Sequence, residues 1–174
     1  MDDIILNEGQ QAAFDAILGG EEDFALHGAA GTGKTTVLQT AARMLDCKRV
    51  IFLAPTNKAL TVLQSKLPDG YVSRTIQSFL GMKRSVEEGV ELFKVTSDGI
   101  QKAAQLLAEK DFNLIIVDES SMISSEIESA LVAVIGGSGK FIRCIWSGDK
   151  YQLPPPAGGK SLSFWQPKYA VELA

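Results

Sequence analysis

The sequence predicts an α/β protein with a mostly parallel sheet and helices on both faces of that sheet. Apolar runs rich in β-branched residues alternate along the chain with segments of helical period. The runs are nearly continuous rather than interrupted by polar residues, which is typical of strands covered on both faces. With 174 residues, of which 45% are hydrophobic, the chain is long enough for one domain with a sizeable core.

The first part of the chain carries the signals of three helices and two strands. In order, these are a helix over 8–18, a strand over 23–27, a helix over 33–45, a strand over 49–54 and a helix near 57–67. Asn7 can cap the first helix, and Gly19 with Gly20 ends it. The sequence Pro68-Asp69-Gly70 ends the third helix. Strands that alternate with helices in this way favour a parallel arrangement.

A stretch in the middle of the chain interrupts this alternation. Two short strand-like runs flank Glu87-Glu88-Gly89, which predicts a β-hairpin over 81–96 inserted into the α/β framework. The alternation then resumes with a helix over 100–109, a strand over 112–117, a helix from residue 125, and strands over 141–146 and 170–173. Ser125 and Glu128 have the spacing of a capping box at the start of the helix from residue 125.

Several classes of protein are excluded by composition. No apolar run reaches the roughly 18–20 residues needed to cross a bilayer, and the acidic start Met1-Asp2-Asp3 is unlike a secretory signal. Cys47 and Cys144 lie in apolar surroundings without metal-ligand partners at useful spacing, which favours buried free thiols. We therefore expect a soluble, cytoplasmic protein without a membrane partner.

The net charge of −4 hides an uneven distribution along the chain. Residues 1–42 hold one basic and seven acidic residues, residues 43–84 hold eight basic and two acidic, and residues 85–174 hold eight basic and twelve acidic. The middle segment could face a polyanion, and an uneven but merely solvated surface is the alternative.

The strongest motif is Gly28-Ala29-Ala30-Gly31-Thr32-Gly33-Lys34-Thr35, which matches G-x-x-x-x-G-K-[ST] directly after a predicted strand. Its glycines allow backbone N–H groups to surround phosphates at a helix N-terminus. Lys34 would reach the β- and γ-phosphates, and the Thr35 hydroxyl would ligate Mg²⁺. His27 next to the motif is expected to be a packing residue.

Two carboxylates follow the predicted strand over 112–117. Asp118 and Glu119 come at its carboxyl end, where open α/β sheets bind their ligands. Asp118 suits the role of holding Mg²⁺, and Glu119 is placed to orient or deprotonate an attacking water. Taken alone, such a pair could equally cap a helix, and the upstream phosphate motif favours the catalytic interpretation.

The next strand also ends in polar residues. Gly148-Asp149-x-x-Gln152-Leu153-Pro154-Pro155 predicts a loop, held rigid by proline, that carries the neutral Gln152 amide to the same sheet edge. Gln152 can approach a γ-phosphate without repelling it. As an isolated pattern the segment could also be an ordinary surface turn.

The chain resembles the superfamily 1 DNA helicases, most closely the Dda and RecD-like group. The resemblance rests on six motifs in order, namely Leu6-Asn7-x-x-Gln10, Gly28 to Thr35, Ala54-Pro55-Thr56, Thr75-Ile76-Gln77-Ser78, Asp118-Glu119-Ser120-Ser121-Met122 and Gly148-Asp149-x-x-Gln152-Leu153-Pro154-Pro155. These motifs cover essentially the whole chain. The resemblance implies a RecA-like P-loop NTPase lobe that uses ATP and Mg²⁺.

The resemblance also implies a role for each matching residue. Lys34, Glu119 and Gln152 would be catalytic, and Thr35 with Asp118 would hold the metal. Gln10 would bind adenine, and the residues around the phosphates would be Gly28, Gly31, Thr32, Gly33, Lys34, Thr35 and Thr36. Contacts to the single-stranded DNA backbone would come from Pro55, Thr56, Asn57, Thr75 and Gln77, which lie in the basic middle segment. Phe79 is expected in the core, whereas Phe93 on the hairpin could pack or stack on bases.

The sequence departs from this family in two ways. Gln77 stands where relatives carry histidine; glutamine can still donate a hydrogen bond, so this departure concerns the strength of the DNA contact rather than the fold. The second RecA-like lobe, with its arginine fingers, is absent, so we expect residues 1–174 to be an N-terminal motor lobe and a fragment or truncated gene product, with the 81–96 hairpin as a pin subdomain.

The function expected from this resemblance is that of an ATP-driven DNA helicase or translocase moving 5′→3′ on single strands. We expect a monomer whose partners include replication or recombination proteins. One alternative is a module in which ATP gates binding to nucleic acid or protein without unwinding. Another is a small-molecule kinase, which the Gly148–Pro155 loop speaks against.

Overall fold

The computed structural model describes residues 4–155 and 159–174. The strands in these ranges are β1 Phe24–Gly28, β2 Val50–Ala54, β3 Val72–Thr75, β4 Lys83–Glu87, β5 Val90–Lys94, β6 Leu114–Val117, β7 Arg143–Gly148 and β8 Ala170–Leu173. The helices are α1 Glu8–Gly19, α2 Lys34–Ala42, α3 Asn57–Gln64, α4 Ile76–Phe79, α5 Ser97–Glu109, α6 Ser125–Gly137 and α7 Leu162–Trp165. None of these helices is long and apolar enough to cross a membrane.

Six strands form one sheet in the order β3-β2-β6-β7-β1-β8, and every neighbouring pair is parallel. The predicted fold class is therefore confirmed. The parallel direction brings the carboxyl ends of all six strands to one edge of the sheet. The loops that leave β1, β2, β3, β6 and β7 at this edge carry all six motifs except the first.

Each face of the sheet is covered by its own set of helices. Helices α1, α2 and α3 pack on one face, which we call the α2 face, against strand residues such as Leu26, Phe52 and Ile116. Helices α4, α5, α6 and α7 pack on the other face, against residues such as Leu53 and Trp146. Because side chains alternate along a strand, a strand covered on both sides is apolar at every position, as the central strands β2 and β6 are.

The predicted hairpin is present as a separate two-stranded antiparallel sheet of β4 and β5. Its side chains are exposed except for Ser85, which is half-buried. Ion pairs between Arg84 and Glu91 and between Lys94 and Glu87 join the strands. Phe93 on this hairpin is 42% exposed, which leaves its ring free to make a contact.

Two predicted helix boundaries differ from the structure for local reasons. The helix predicted over 33–45 begins at Lys34, because Gly33 is left-handed, and it ends at Ala42. The Tyr71 hydroxyl hydrogen-bonds at this end with the carbonyl oxygens of Ala42 and Leu45, at 2.5 and 2.8 Å. Burial of this hydroxyl raises the pKa of Tyr71 to about 12.

The predicted capping box at Ser125 and Glu128 is wrong. Ser124 is the cap of α6, and its side chain accepts a hydrogen bond from the Ile127 backbone. The Glu128 carboxylate instead accepts hydrogen bonds from the backbone and hydroxyl of Ser163, near the start of α7. Glu128 therefore makes a tertiary contact with Ser163 instead of the local capping contact that the sequence pattern predicted.

Other differences concern short or half-exposed elements. The strand predicted over 141–146 begins at Arg143, since Phe141 is 77% exposed and lies outside the sheet. β3 is an edge strand without a continuous apolar run, and it was not predicted. Cys144 is buried as expected, whereas Cys47 is half-buried, and both are free thiols.

Candidate nucleotide and nucleic-acid site

The loop between β1 and α2 is shaped by three glycines. Gly31 and Gly33 have φ angles of 85° and 90°, which residues other than glycine rarely adopt. A Cβ atom on Gly28 would lie 2.4 Å from the Thr32 hydroxyl oxygen. These glycines let the chain turn tightly into the N-terminus of α2, where free N–H groups and the helix dipole favour a phosphate.

The Lys34 ammonium group is held against this loop. Its Nζ donates hydrogen bonds to the carbonyl oxygens of Gly28 at 2.5 Å and Ala29 at 3.0 Å. The Thr32 hydroxyl also donates to the Ala29 carbonyl, at 2.9 Å. Lys34, Thr35 and Thr36 are half-buried, so their side chains remain accessible to a ligand.

Gln10 connects the first helix with the same loop. Its Oε1 accepts a hydrogen bond from the Asn7 backbone at 3.1 Å, and its Nε2 donates to the Thr32 carbonyl at 3.0 Å. A carboxamide has two N–H groups and two lone pairs on its oxygen, so one donor and one acceptor are left over. A donor beside an acceptor complements the N7 and N6 edge of adenine.

Asp118 continues the ladder beyond β6, because its backbone N–H donates to the Leu53 carbonyl at 2.9 Å. Burial raises the pKa of its carboxyl group, and the Glu119 backbone, the nearby Ser147 hydroxyl and the charge of Lys34 oppose this rise. The Asp118 carboxylate and the Lys34 ammonium group are therefore close enough to interact electrostatically.

Glu119 is held in an unusual backbone conformation. Its φ and ψ angles are 53° and 41°, a left-handed geometry that a non-glycine residue adopts only at a cost. Burial raises the pKa of its carboxyl group, the carboxylates of Asp118 and Asp149 raise it further, and Lys34 lowers it. A raised pKa suits a group that must accept a proton near neutral pH.

The oxygen atoms around this loop suit a magnesium ion. The Asp118 carboxylate and the Thr35 hydroxyl belong to the hard oxygen ligands that Mg²⁺ prefers. The Ser147 hydroxyl oxygen is buried and makes no hydrogen bond with the described residues. A buried hydroxyl of this kind beside a carboxylate marks a place where water or an ion supplies the missing partner. The residues therefore fit the metal, with Thr35 and Asp118 as those that would hold it.

Gln152 lies in the loop after β7 and reaches the segment after β6. Its Oε1 accepts a hydrogen bond from the Ser121 hydroxyl at 3.2 Å. Within the loop, the Asp149 carboxylate accepts from the Tyr151 backbone at 2.9 Å. The structure thus brings Gln152 to the neighbourhood of Asp118 and Glu119, as the order of the strands requires.

The loop after β7 is also attached to the edge strand β8. Lys150 forms an ion pair with Glu172 at 2.6 Å, and the Tyr151 hydroxyl lies 3.4 Å from the same carboxylate. This contact lowers the pKa of Glu172 and raises the pKa of Lys150, chiefly through their hydrogen bond. Sequence reasoning missed both residues, because nothing in the spacing of 150 and 172 indicates that they meet.

The residues predicted to contact DNA gather at the ends of β2 and β3. These strands are parallel and pair Ala54 with Thr75, so the two following loops lie side by side. The Thr56 and Thr75 hydroxyls cap α3 and α4 by accepting hydrogen bonds from Ala59 and Ser78. Because each hydroxyl oxygen already accepts, its hydrogen remains available to donate to a phosphate oxygen.

The other three predicted DNA contacts share this surface. Asn57 and Gln77 are exposed, and Pro55 is half-buried between β2 and α3. Exposed Lys58 and Arg74 add positive charge beside them. We call these loop residues, 54–58 and 74–78, the β2/β3 edge.

Two expectations about packing residues are met. His27 is buried, its Nε2 lies 2.7 Å from the Phe164 carbonyl oxygen, and its ring packs edge-on against the Phe164 ring. Phe79 is in the core at 3% exposure. A wide groove lined by Glu22, Phe141 and Lys168 lies at the opposite edge of the sheet and has no part in this site.

One site residue, Ser147, was missed although a signal existed. It directly precedes Gly148-Asp149 at the end of a buried strand, so a polar residue there stands out among apolar neighbours. Its burial and its lack of a hydrogen-bond partner were not visible in the sequence.

Comparison with known proteins agrees with this geometry. A family model described as AAA domain matches residues 5–173. The DNA replication ATP-dependent helicase/nuclease DNA2 of Saccharomyces cerevisiae is 32% identical over 178 residues, covering 88% of this chain and 11% of that protein. The ATP-dependent DNA helicase Pif1 of Bdellovibrio bacteriovorus is 30% identical over 162 residues, covering 88% of this chain and 34% of that protein.

A solved structure adds evidence at the level of three-dimensional fold. The Bacteroides Pif1 helicase, crystallised with ADP-AlF3 and single-stranded DNA, superposes with a TM-score of 0.59 at 27% identity, covering 89% of this chain and 34% of that one. The chain thus spans between about a tenth and a third of the length of these relatives. It belongs to the AAA domain family, and its resemblance to the motor lobe of superfamily 1 helicases is confirmed.

Proposed function

We propose that this chain is an ATP-hydrolysing motor lobe of a DNA helicase or translocase. The observation that carries the proposal is the convergence of two sets of residues at one sheet edge. The glycine-rich loop with Lys34, the carboxylates after β6 and the Gln152 loop form one set. The β2/β3 edge forms the other and lies directly beside β6 in the same sheet.

The chemistry assigned to the first set is attack of water on the γ-phosphate of ATP, which breaks the bond from the γ-phosphorus to the β–γ bridging oxygen and releases ADP and phosphate. Glu119 accepts a proton from the attacking water, while Lys34 and the backbone N–H groups of the loop neutralise charge on the phosphates. Bound Mg²⁺ would add positive charge at the β- and γ-phosphates. Thr35 and Asp118 hold it, and Gln10 binds adenine through its remaining donor and acceptor.

Gln152 is assigned the role of sensing the γ-phosphate. Its contact with Ser121 places it on the segment that follows Glu119, so a change at the phosphate can move both loops together. Lys150 and Tyr151 join the same loop to β8 through their contacts with Glu172. We infer that this loop links nucleotide state to the DNA surface.

The second set contacts the backbone of single-stranded DNA. Hydroxyl and amide groups at Thr56, Asn57, Thr75 and Gln77 suit phosphate contacts that do not depend on base sequence. The presence of single-stranded DNA in the Bacteroides Pif1 structure supports this assignment.

The remaining parts of the proposal concern the protein as a whole. We infer that the chain is the first of two motor lobes, that the β4–β5 hairpin serves as a pin subdomain, and that movement is 5′→3′. The share of relatives that the chain covers supports the first point. We further propose that the protein is a cytoplasmic monomer and that it binds replication or recombination proteins.

The test is ATP hydrolysis and strand separation by a protein in which this lobe is joined to a second motor lobe. We expect turnover to rise when single-stranded DNA is added, and a forked duplex to be separated. ATP binding that changes DNA affinity without turnover would instead favour a gated binding module. Turnover indifferent to DNA would favour another P-loop enzyme.

A further inference from the structure

Ser147 faces the nucleotide side of the sheet. In β7 it is paired with Leu26 of β1, whose side chain packs on the α2 face. On the other side, β7 pairs Trp146 with Val117 of β6, so the next residues along these strands, Ser147 and Asp118, are also neighbours. Side chains alternate along a strand, and both residues therefore point to the α2 face, where the phosphate loop opens.

The hydroxyl of Ser147 lacks the partner that buried hydroxyls normally have. The residue is fully buried, and its Oγ lies close enough to Asp118 to lower the pKa of that carboxyl group, but no hydrogen bond of ordinary length and angle joins it to any described residue. By contrast, the buried Ser120 hydroxyl donates to the Val117 carbonyl at 2.7 Å. Leaving a buried polar group unpaired is costly, so its retention calls for a ligand that pairs with it.

The surroundings of Ser147 indicate the kind of ligand. The nearest charged group on the neighbouring strand is Asp118, which lies within range of Lys34 at the phosphate loop. A hydroxyl next to a carboxylate that holds a hydrated cation can donate to a water of the cation's shell or to the carboxylate itself. Mg²⁺ keeps several of its waters when it binds to proteins, so such a water is available.

We propose that Ser147 is a positioning residue of the magnesium site, donating its hydrogen bond to a water that the Asp118 carboxylate shares with the metal. This inference rests on the proposed nucleotide site. It adds a third oxygen to the set formed by Thr35 and Asp118. Ser147 acts through water and carboxylate, and it does not touch the phosphates.

The test compares Ser147→Ala with the unchanged chain and with Ser161→Ala. Ser161 is a matched control, because it is also fully buried with an unpaired hydroxyl but lies beside α7, outside the site. The measurement is the Mg²⁺ concentration that gives half-maximal thermal stabilisation of each protein in saturating ADP. Direct titration with Mn²⁺, followed by electron paramagnetic resonance, gives the metal affinity independently.

We expect Ser147→Ala to need about 10- to 100-fold more Mg²⁺, since residues that support metal ligands have effects of this size. Its thermal stability without metal should be equal to or above that of the unchanged chain, because an unpaired buried hydroxyl is removed. Ser161→Ala should leave the Mg²⁺ requirement unchanged. Ser147→Cys keeps the size with a weaker donor, and its requirement should be intermediate.

An unchanged Mg²⁺ requirement in both Ser147 variants, in a chain that binds Mg·ADP, would overturn this inference and leave the nucleotide site standing. A loss of stability in Ser147→Ala that is the same with and without metal would also overturn it, since that is the mark of a purely structural serine. A chain that binds no ADP at any Mg²⁺ concentration would remove the nucleotide site and this inference together.

Discussion

Two charged residues at the nucleotide site lie within range of each other, and their proposed tasks differ. Lys34 is anchored to the carbonyl oxygens of its own loop, so its charge is in place before a ligand arrives. Glu119 is held in a left-handed backbone conformation, which aims a carboxylate that must accept a proton. We therefore propose that Lys34 serves nucleotide binding and that Glu119 serves turnover.

Lys34→Ala is expected to weaken ATP binding, whereas Glu119→Gln should preserve it and block turnover. Removing the ammonium group removes charge-assisted hydrogen bonds worth about 1.5–3 kcal/mol, or about 10- to 150-fold in affinity. Removing the base should reduce the rate by about 10²–10⁴-fold. Calorimetric binding of ATP and a single-turnover hydrolysis assay separate the two. Equal loss of affinity in both variants would contradict the role of Glu119.

The raised pKa of Glu119 predicts a pH dependence of ATP hydrolysis. A carboxyl group with a raised pKa stays protonated to higher pH than its ordinary 4.5, and the protonated form cannot accept a proton. When the solution is acidified, turnover should therefore begin to fall at a pH above 4.5. Asp149→Asn removes one of the carboxylates that raise this pKa, so it should move the acid limb of kcat/KM to lower pH.

Asn at position 149 retains the oxygen that accepts from the Tyr151 backbone, which makes Asp149→Asn a conservative change. The pH profile is measured in the protein joined to a second lobe, with single-stranded DNA present. An acid limb that stays in place in Asp149→Asn would show that Glu119 is not the titrating base.

At the scale of secondary-structure elements, the proposed DNA contacts of the β2/β3 edge include side chains that also have a structural role. Thr56 and Thr75 cap the helices that begin there by accepting hydrogen bonds, so each hydroxyl can still donate its own hydrogen. If the proposal is correct, a substitution at either position changes both stability and DNA contact, and the two effects need separate controls.

Thr56→Ala should lower the free energy of unfolding by about 1 kcal/mol, because an N-cap is lost, and should also weaken single-stranded DNA binding. Thr56→Ser keeps the hydroxyl and should change both quantities little. Chemical denaturation and fluorescence anisotropy with a short labelled oligonucleotide measure the two effects. Loss of stability with unchanged DNA affinity would show that Thr56 is only a cap.

The whole surface can be mapped by NMR on adding an oligonucleotide. We expect shifts confined to residues 54–58 and 74–78, with little dependence on base sequence. Affinity should be low and its dependence on salt shallow, since only a few phosphates are contacted. Shifts that avoid the β2/β3 edge would exclude it as the DNA surface.

At the scale of the whole molecule, the positions of the arginines limit catalysis. Arg143 donates hydrogen bonds to the carbonyl oxygens of Glu22, Ile17 and Ala16, at the sheet edge opposite the nucleotide site. Arg84 lies on the hairpin in an ion pair with Glu91. Among the described residues we find no arginine placed to neutralise charge on a γ-phosphate.

The 174-residue chain should consequently fold and bind Mg·ATP but hydrolyse it very slowly, with or without DNA. An arginine supplied by a neighbouring element is worth about 10³–10⁵ in rate in P-loop enzymes. A steady-state ATPase assay on the purified chain tests this. DNA-stimulated turnover at about 1 per second or faster would show that a second copy supplies the arginine, and that a monomer is not the active form.

The fold class and the phosphate loop could be predicted from sequence because their signals are local. Continuous apolar runs mark strands covered on both faces, and the spacing of Gly28, Gly33 and Lys34 lies within one turn between strand and helix. Asp118, Glu119 and Gln152 could be placed at one edge because parallel strands share their carboxyl ends. Asn7 with Gln10 likewise formed its cap within four residues.

Only the tertiary structure decided which distant side chains meet. The pairing of Glu128 with Ser163, of Lys150 with Glu172 and of Gln152 with Ser121 depends on strand order and register, which no local pattern contains. The environment of Ser147 follows from its neighbours on β1 and β6, segments far from it in the sequence. The sequence by itself determined the fold class, most of the elements and the phosphate loop, and the register of the sheet decided that the Ser147 hydroxyl lies buried beside Asp118.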